Sequence, residues 1–123
     1  MFRVVLRALA VIAVAVGVVA SLGACSSGDA KGVPAGAVVV DVRTPAEYAA
    51  GHLAGAINVD VESPDFTASI SRLDKSGQYL VYCHSGNRAG LATSRMHGLG
   101  YTHVTNLGGI DAAASTTGLA LEK

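Results

Sequence analysis

Cys83 and Arg88, separated by His84, Ser85, Gly86 and Asn87, are the residues of this chain whose types and spacing suit covalent chemistry. A thiol attacks as thiolate, a form favoured by a helix N-terminus and by nearby cations. Cys83 follows the strand-forming run "YLVY" (79–82) and precedes a helical stretch, 88–99, that opens with arginine, so its position offers both. If the backbone curls, the amides of His84 to Arg88 form a nest for fixed or developing negative charge. Gly86 supplies the conformational freedom for that curl, and Arg88 adds donors at the rim. The combination describes a nucleophilic sulfur that holds a small anionic group through a covalent intermediate. A cysteine ending a buried strand also serves as a small core hydrophobe. The polar "HSGNR" that follows favours the chemical reading.

Loop length narrows the chemistry. Protein tyrosine phosphatases place five residues between cysteine and arginine, so that the loop closes around a phosphate. Here four residues intervene, and the tighter ring suits a smaller transferred group such as a single sulfur atom.

The elements that must position this turn follow from periodicity. "AVVVDV" (37–42) is a continuous β-branched run, expected of a strand buried on both faces of a parallel sheet. "TPAE" (44–47) combines a Thr cap, Pro at the first helical position and Glu three residues after the cap, predicting a short helix that Gly51 ends in a left-handed conformation. "AINV" (56–59) reads as a short strand. Ser63 and Pro64 start a second helix with Phe66, Ile70 and Leu73 on one stripe. Ala89, Ala92, Met96 and Leu99 line the apolar side of the helix after Cys83. "HVTNL" (103–107) predicts another strand, "GG" a turn and "IDAAAS" a weak last helix. Strands alternating with helices imply an α/β domain with a mostly parallel sheet of four to five strands and right-handed crossovers. Ligands bind such sheets at the carboxyl ends of strands, where Cys83 sits.

Composition bounds the rest. The 123 residues carry no net formal charge, and with Arg3 and Arg7 set aside seven basic residues face nine acidic ones, which gives no basic footprint for nucleic acid. "MFRVVLR" followed by an uncharged apolar run ending in small residues is an export signal over residues 1–24. "LGAC" (22–25) resembles the lipobox of bacterial lipoproteins, which makes Cys25 the lipidated mature N-terminus and anchors the chain to the outer face of the membrane. Residues 25–36 then read as a flexible Ser-, Gly- and Pro-rich tether, and 37–123 as one folded domain. Lipidation of Cys25 removes the second cysteine as a disulfide partner for Cys83.

With these residues in place, the chain resembles a single-domain rhodanese, a sulfurtransferase family, over residues 37–111. "VVVDVRTPAEYAAGHLAGAINV" is similar to the family's opening block, "YLVYCHSGNRA" to its active-site strand and loop, and "LGYTHVTNLGGI" to its closing block. The resemblance implies that Cys83 accepts a sulfane sulfur from a small anion such as thiosulfate, carries it as a persulfide and passes it to a nucleophilic or thiol acceptor, with no metal or organic cofactor. Asp41 and Arg43 match the family's Asp-x-Arg and receive a supporting role, against the alternative of an exposed pair worth little. Glu47 is accounted for by its capping position, and His52, in the family's Gly-His, by a structural hydrogen bond. His84 either tunes Cys83 or points to solvent, and His97 and His103 show no zinc-ligand spacing with Cys83. The family usually has a tryptophan after the Gly-Gly pair; Asp111 and Ala112 stand here, so "ASTTGLALEK" is expected to pack weakly. Two other functions use the same features: a noncatalytic polysulfide-binding or thiol redox-sensing module, and a phosphatase or arsenate reductase with a thiolate loop.

Overall fold

A computed structural model describes residues 32–123. The export signal and the lipidation site at Cys25 lie outside the described residues, as does most of the tether. The elements are β1 (Val38–Asp41), α1 (Pro45–Ala50), β2 (His52–Leu53), β3 (Ile57–Asn58), α2 (Phe66–Ile70), β4 (Gln78–Cys83), α3 (Asn87–Gly98), β5 (His103–Gly109), α4 (Ile110–Thr117) and β6 (Leu121–Glu122). Four strands form a parallel sheet in the order β3-β1-β4-β5. The expected α/β architecture with a mostly parallel, helix-flanked sheet is the one observed.

The β-branched runs become the two central strands because both of their faces are covered. Val40 and Val81 point to one side, where Phe66, Ile70, Ala92 and Met96 of α2 and α3 meet them. Val39, Leu80 and Tyr82 point to the other, against Leu53 and Ala113. Alternation of side chains along a strand divides the core into these two halves, and each fully buried large apolar side chain contributes about 1.5–3 kcal/mol relative to exposure.

Local signals are realised to different degrees. Thr44 and Glu47 form the reciprocal capping box of α1, with the Glu47 amide donating to Thr44 Oγ1 at 3.3 Å. Gly51 ends that helix in an extended conformation (φ 158°, ψ 132°) rather than a left-handed one, because the chain passes straight into β2. Ser63 and Pro64 form a turn instead of a helix start: Ser63 Oγ accepts from the Asp65 amide, and α2 begins at Phe66. The Gly-Gly pair is the end of β5 and not a turn; Gly108 and Gly109 pair with Tyr82 and Cys83.

The C-terminal segment is ordered but packs lightly, as the missing tryptophan suggested: within 114–123 Thr117 alone is buried, and Leu121 is 60% exposed. Ala113 and Thr117 are buried, Gly118 caps α4 at φ 74°, and β6 pairs antiparallel with β2. The small residue at 113 lets the middle of α4 lie close to Leu80 and Tyr82 of the sheet.

Candidate active site

The carboxyl ends of β1 and β4 are neighbours in a parallel sheet, so residues just after β1 meet those just after β4. Cys83 is the last residue of β4 and is buried, as is the Tyr82 before it. Gly86, at φ 100° and ψ −23°, reverses the chain into α3, a conformation that costs other residues a steric penalty. That reversal aims the Gly86 amide at Cys83, and its N–H donates to Sγ at 2.8 Å. The donor stabilises negative charge on sulfur at the start of a twelve-residue helix.

His84, Ser85 and Asn87 are exposed on the outer side of the loop. The loop's inner side rests on β5. A Cβ built on Gly109 would lie 2.5 Å from the His84 carbonyl oxygen and 3.3 Å from its carbon, so backbone would have to move to admit any side chain. Gly109→Ala is therefore expected to displace the loop, costing about 1–3 kcal/mol of stability. The same displacement, by misplacing the reacting sulfur, is expected to lower turnover by roughly a hundredfold. Urea unfolding and steady-state kinetics on the same sample check both.

Arg88 does not stand free at the rim. Its Nη1 and Nη2 donate to Glu47 Oε1 and Oε2 at 2.6 and 3.0 Å, and Glu62 Oε2 lies 3.9 Å from Nη1. Glu47 thus does more than cap α1, which the reading of its helix position alone missed. The available signal was topological: an acidic residue on the element following β1 faces the loop following β4. The Arg88 guanidinium, helped by the Thr44 amide and hydroxyl and opposed by partial burial, holds the Glu47 carboxyl down at about 2. Because the folded value lies below the ordinary 4.5, this stabilisation is complete above pH about 4.5 and is lost as pH falls toward 2. Urea midpoints followed through that window should fall more steeply for the native chain than for Glu47→Gln.

Asp41 and Arg43 form a buried network rather than an exposed pair. Asp41 accepts from the Arg43 amide at 2.9 Å, from Arg43 Nε and Nη2 at 3.0 and 2.7 Å, and from the Tyr82 hydroxyl at 2.8 Å. Arg43 Nη2 also donates to the Gly51 carbonyl, and Asn58 Nδ2 donates to the carbonyls of Asp41 and Arg43. The hydrogen bond to Asp41 raises the Arg43 guanidinium above its ordinary value, against desolvation, while burial pushes the Tyr82 hydroxyl up. Since Tyr82 adjoins Cys83, the network clamps the end of β4. His52 stacks on Tyr48 at 3.7 Å with Nδ1 2.9 Å from the Tyr48 carbonyl, a structural placement. Beside α3 a groove of about 400 Å³, lined by Val61, Glu62, Phe66, Leu91 and Arg95 among others, opens next to the Arg88–Glu62 pair.

The arrangement has measurable relatives. The sequence profile of the rhodanese-like domain matches residues 28–116. The thiosulfate sulfurtransferase PspE of Escherichia coli is 37% identical over 71 residues, which cover 58% of this chain and 68% of that protein. The thiosulfate sulfurtransferase GlpE of Pseudomonas entomophila is 41% identical over 83 residues, 66% of this chain and 73% of that one. Among solved structures, the rhodanese-like domain of the Alr3790 protein from Anabaena superposes with a TM-score of 0.61 at 30% identity, covering 70% of this chain and 86% of its own. A structure described as rhodanese with anions from E. coli gives 0.57 at 30% identity, covering 71% and 98%.

Proposed function

Since this chain belongs to the rhodanese-like domain family and is a sulfurtransferase of the rhodanese type, we propose that it carries sulfane sulfur on Cys83, taking it from thiosulfate or a similar donor, as an exported protein anchored by lipid at Cys25. The observation that carries the reading is the Cys83 Sγ held 2.8 Å from the Gly86 amide where β4 meets α3.

In the loading step the thiolate attacks the outer sulfur of thiosulfate. A new S–S bond forms, the old one breaks, and sulfite leaves with the bonding pair. In the discharge step an acceptor such as cyanide attacks the terminal sulfur of the persulfide; Cys83 leaves as thiolate and thiocyanate departs. Charge and electrons balance without cofactor or proton transfer. The Gly86 amide acts in both halves, favouring the attacking thiolate and then the same thiolate as leaving group. The proposed anchoring is supported by the apolar run of residues 8–24 and by "LGAC".

The test is thiocyanate formation from thiosulfate and cyanide, joined to mass spectrometry of the exported protein. The expected result is one added sulfur on Cys83 and a lipid on Cys25. No turnover and no persulfide with any sulfane donor would overturn the chemistry, and an unmodified, unanchored Cys25 would overturn the location. A redox-sensing role would instead show as a reversible sulfenic acid on Cys83 without sulfur transfer.

A further inference from the structure

We propose that Glu47 is a positioning residue for the reaction, one that sets how much of the Arg88 charge reaches the sulfur of Cys83. The inference rests on the sulfur-transfer reading above. Glu47 binds the guanidinium in a two-point fork, and such forks are strong and directional. The fork occupies both terminal nitrogens of the arginine that would otherwise meet an anionic donor. Glu47 is itself held from the other side, where Oε1 accepts from the Thr44 hydroxyl at 3.1 Å and lies 3.4 Å from the Thr44 amide. One carboxylate therefore completes the cap of α1 and fixes the arginine of the loop.

The other charged groups on the elements around the loop are few. Glu62, exposed after β3, lies near Arg88; His84 is exposed on the loop; Asp111 is exposed in the first turn of α4. Asp41 and Arg43 are closed on each other beneath Tyr82, and Gly108 and Gly109 of β5 bring no charge. Glu47 and Glu62 are the groups that offset Arg88.

Glu47→Gln isolates this role. Glutamine serves in a capping box as glutamate does, and its single carbonyl still accepts from one Arg88 nitrogen, so the variant removes the charge and one arm of the fork. Freed of its counter-charge, Arg88 is expected to raise the thiolate fraction of Cys83 at a pH below its titration midpoint by roughly threefold to tenfold. KM for the thiosulfate dianion is expected to fall as well. Ultraviolet thiolate absorbance of the full chain against pH, with Cys83→Ser as baseline, reads the first effect without turnover. Thr44→Ala, which removes the cap but leaves the carboxylate on Arg88, is expected to lower the thermal midpoint and leave the thiolate curve in place. A thiolate fraction that stays or drops in folded Glu47→Gln, or an equal shift in Thr44→Ala, would overturn the proposal. Should the glutamine variant fail to fold, Glu62→Gln, at an exposed position, is expected to shift the curve in the same direction by less; no movement there overturns it too. A thiolate curve that moves in a protein without sulfur transfer would sink the sulfur-transfer reading alone.

Discussion

Cys83→Ser is expected to lower thiosulfate:cyanide sulfur transfer by more than roughly a thousandfold while leaving the domain folded. A serine hydroxyl is not ionised near neutral pH, and an oxygen in place of Sγ offers no thiolate to attack a sulfane sulfur or to leave from a persulfide. The fold should tolerate the change because the hydroxyl occupies the same strand end and accepts the hydrogen bond that Gly86 gives to Sγ. Placing a hydroxyl beside the apolar neighbours of the sulfur costs about 1–2 kcal/mol, less than a domain's total stability. Thiocyanate assays, the mass of the loaded protein and a urea midpoint on one preparation separate the two effects. Residual turnover above one part in a hundred, with the midpoint retained, would mean that another group attacks.

The second large effect is on stability. Asp41→Ala is expected to cost about 3–5 kcal/mol, enough to leave much of a small domain unfolded near body temperature. Asp41 is buried and is the shared acceptor of the Arg43 guanidinium and the Tyr82 hydroxyl. Truncation strands the Arg43 charge in the interior with the Gly51 carbonyl as its remaining side-chain partner, and it leaves the Tyr82 hydroxyl without its acceptor. Such loss exceeds what the pair is worth relative to an apolar replacement, because the penalty is an uncompensated charge. Asp41→Asn, which keeps an acceptor oxygen, should cost about 1–3 kcal/mol. The order Ala, Asn, native in urea midpoints at constant slope is the check, and equal midpoints for all three would remove the network from the account of stability.

The parts of the molecule that were legible beforehand share a cause. β1, β4 and α3 are long or strongly patterned, and the cap of α1 is written in four adjacent residues, so local chemistry specifies them. The ribbon of β2 and β6 has two residues per strand, too few for any period, and it exists because Leu53 and Leu121 pair across most of the domain. The Gly-Gly pair looks like a turn to any local rule, yet close approach of the His84 carbonyl, not reversal of the chain, is what requires glycine at 109. The same holds at the site. The Cys83 loop could be read from adjacent residues, whereas Glu47 meets Arg88 and Tyr82 meets Asp41 only through the sheet.

The contact between Gly109 and the His84 carbonyl also has a consequence for the order of events in biosynthesis. The strand that supports the Cys83 loop comes later in the chain, and a single domain folds as a unit. Until residues 103–109 arrive, Gly86 has no neighbouring backbone to hold its turn against, and the nascent thiol is an ordinary cysteine. Reactive sulfur therefore appears at the end of folding rather than the beginning. For a chain exported as proposed above and threaded across the membrane before it folds, the nucleophile would travel unarmed and be primed on arrival.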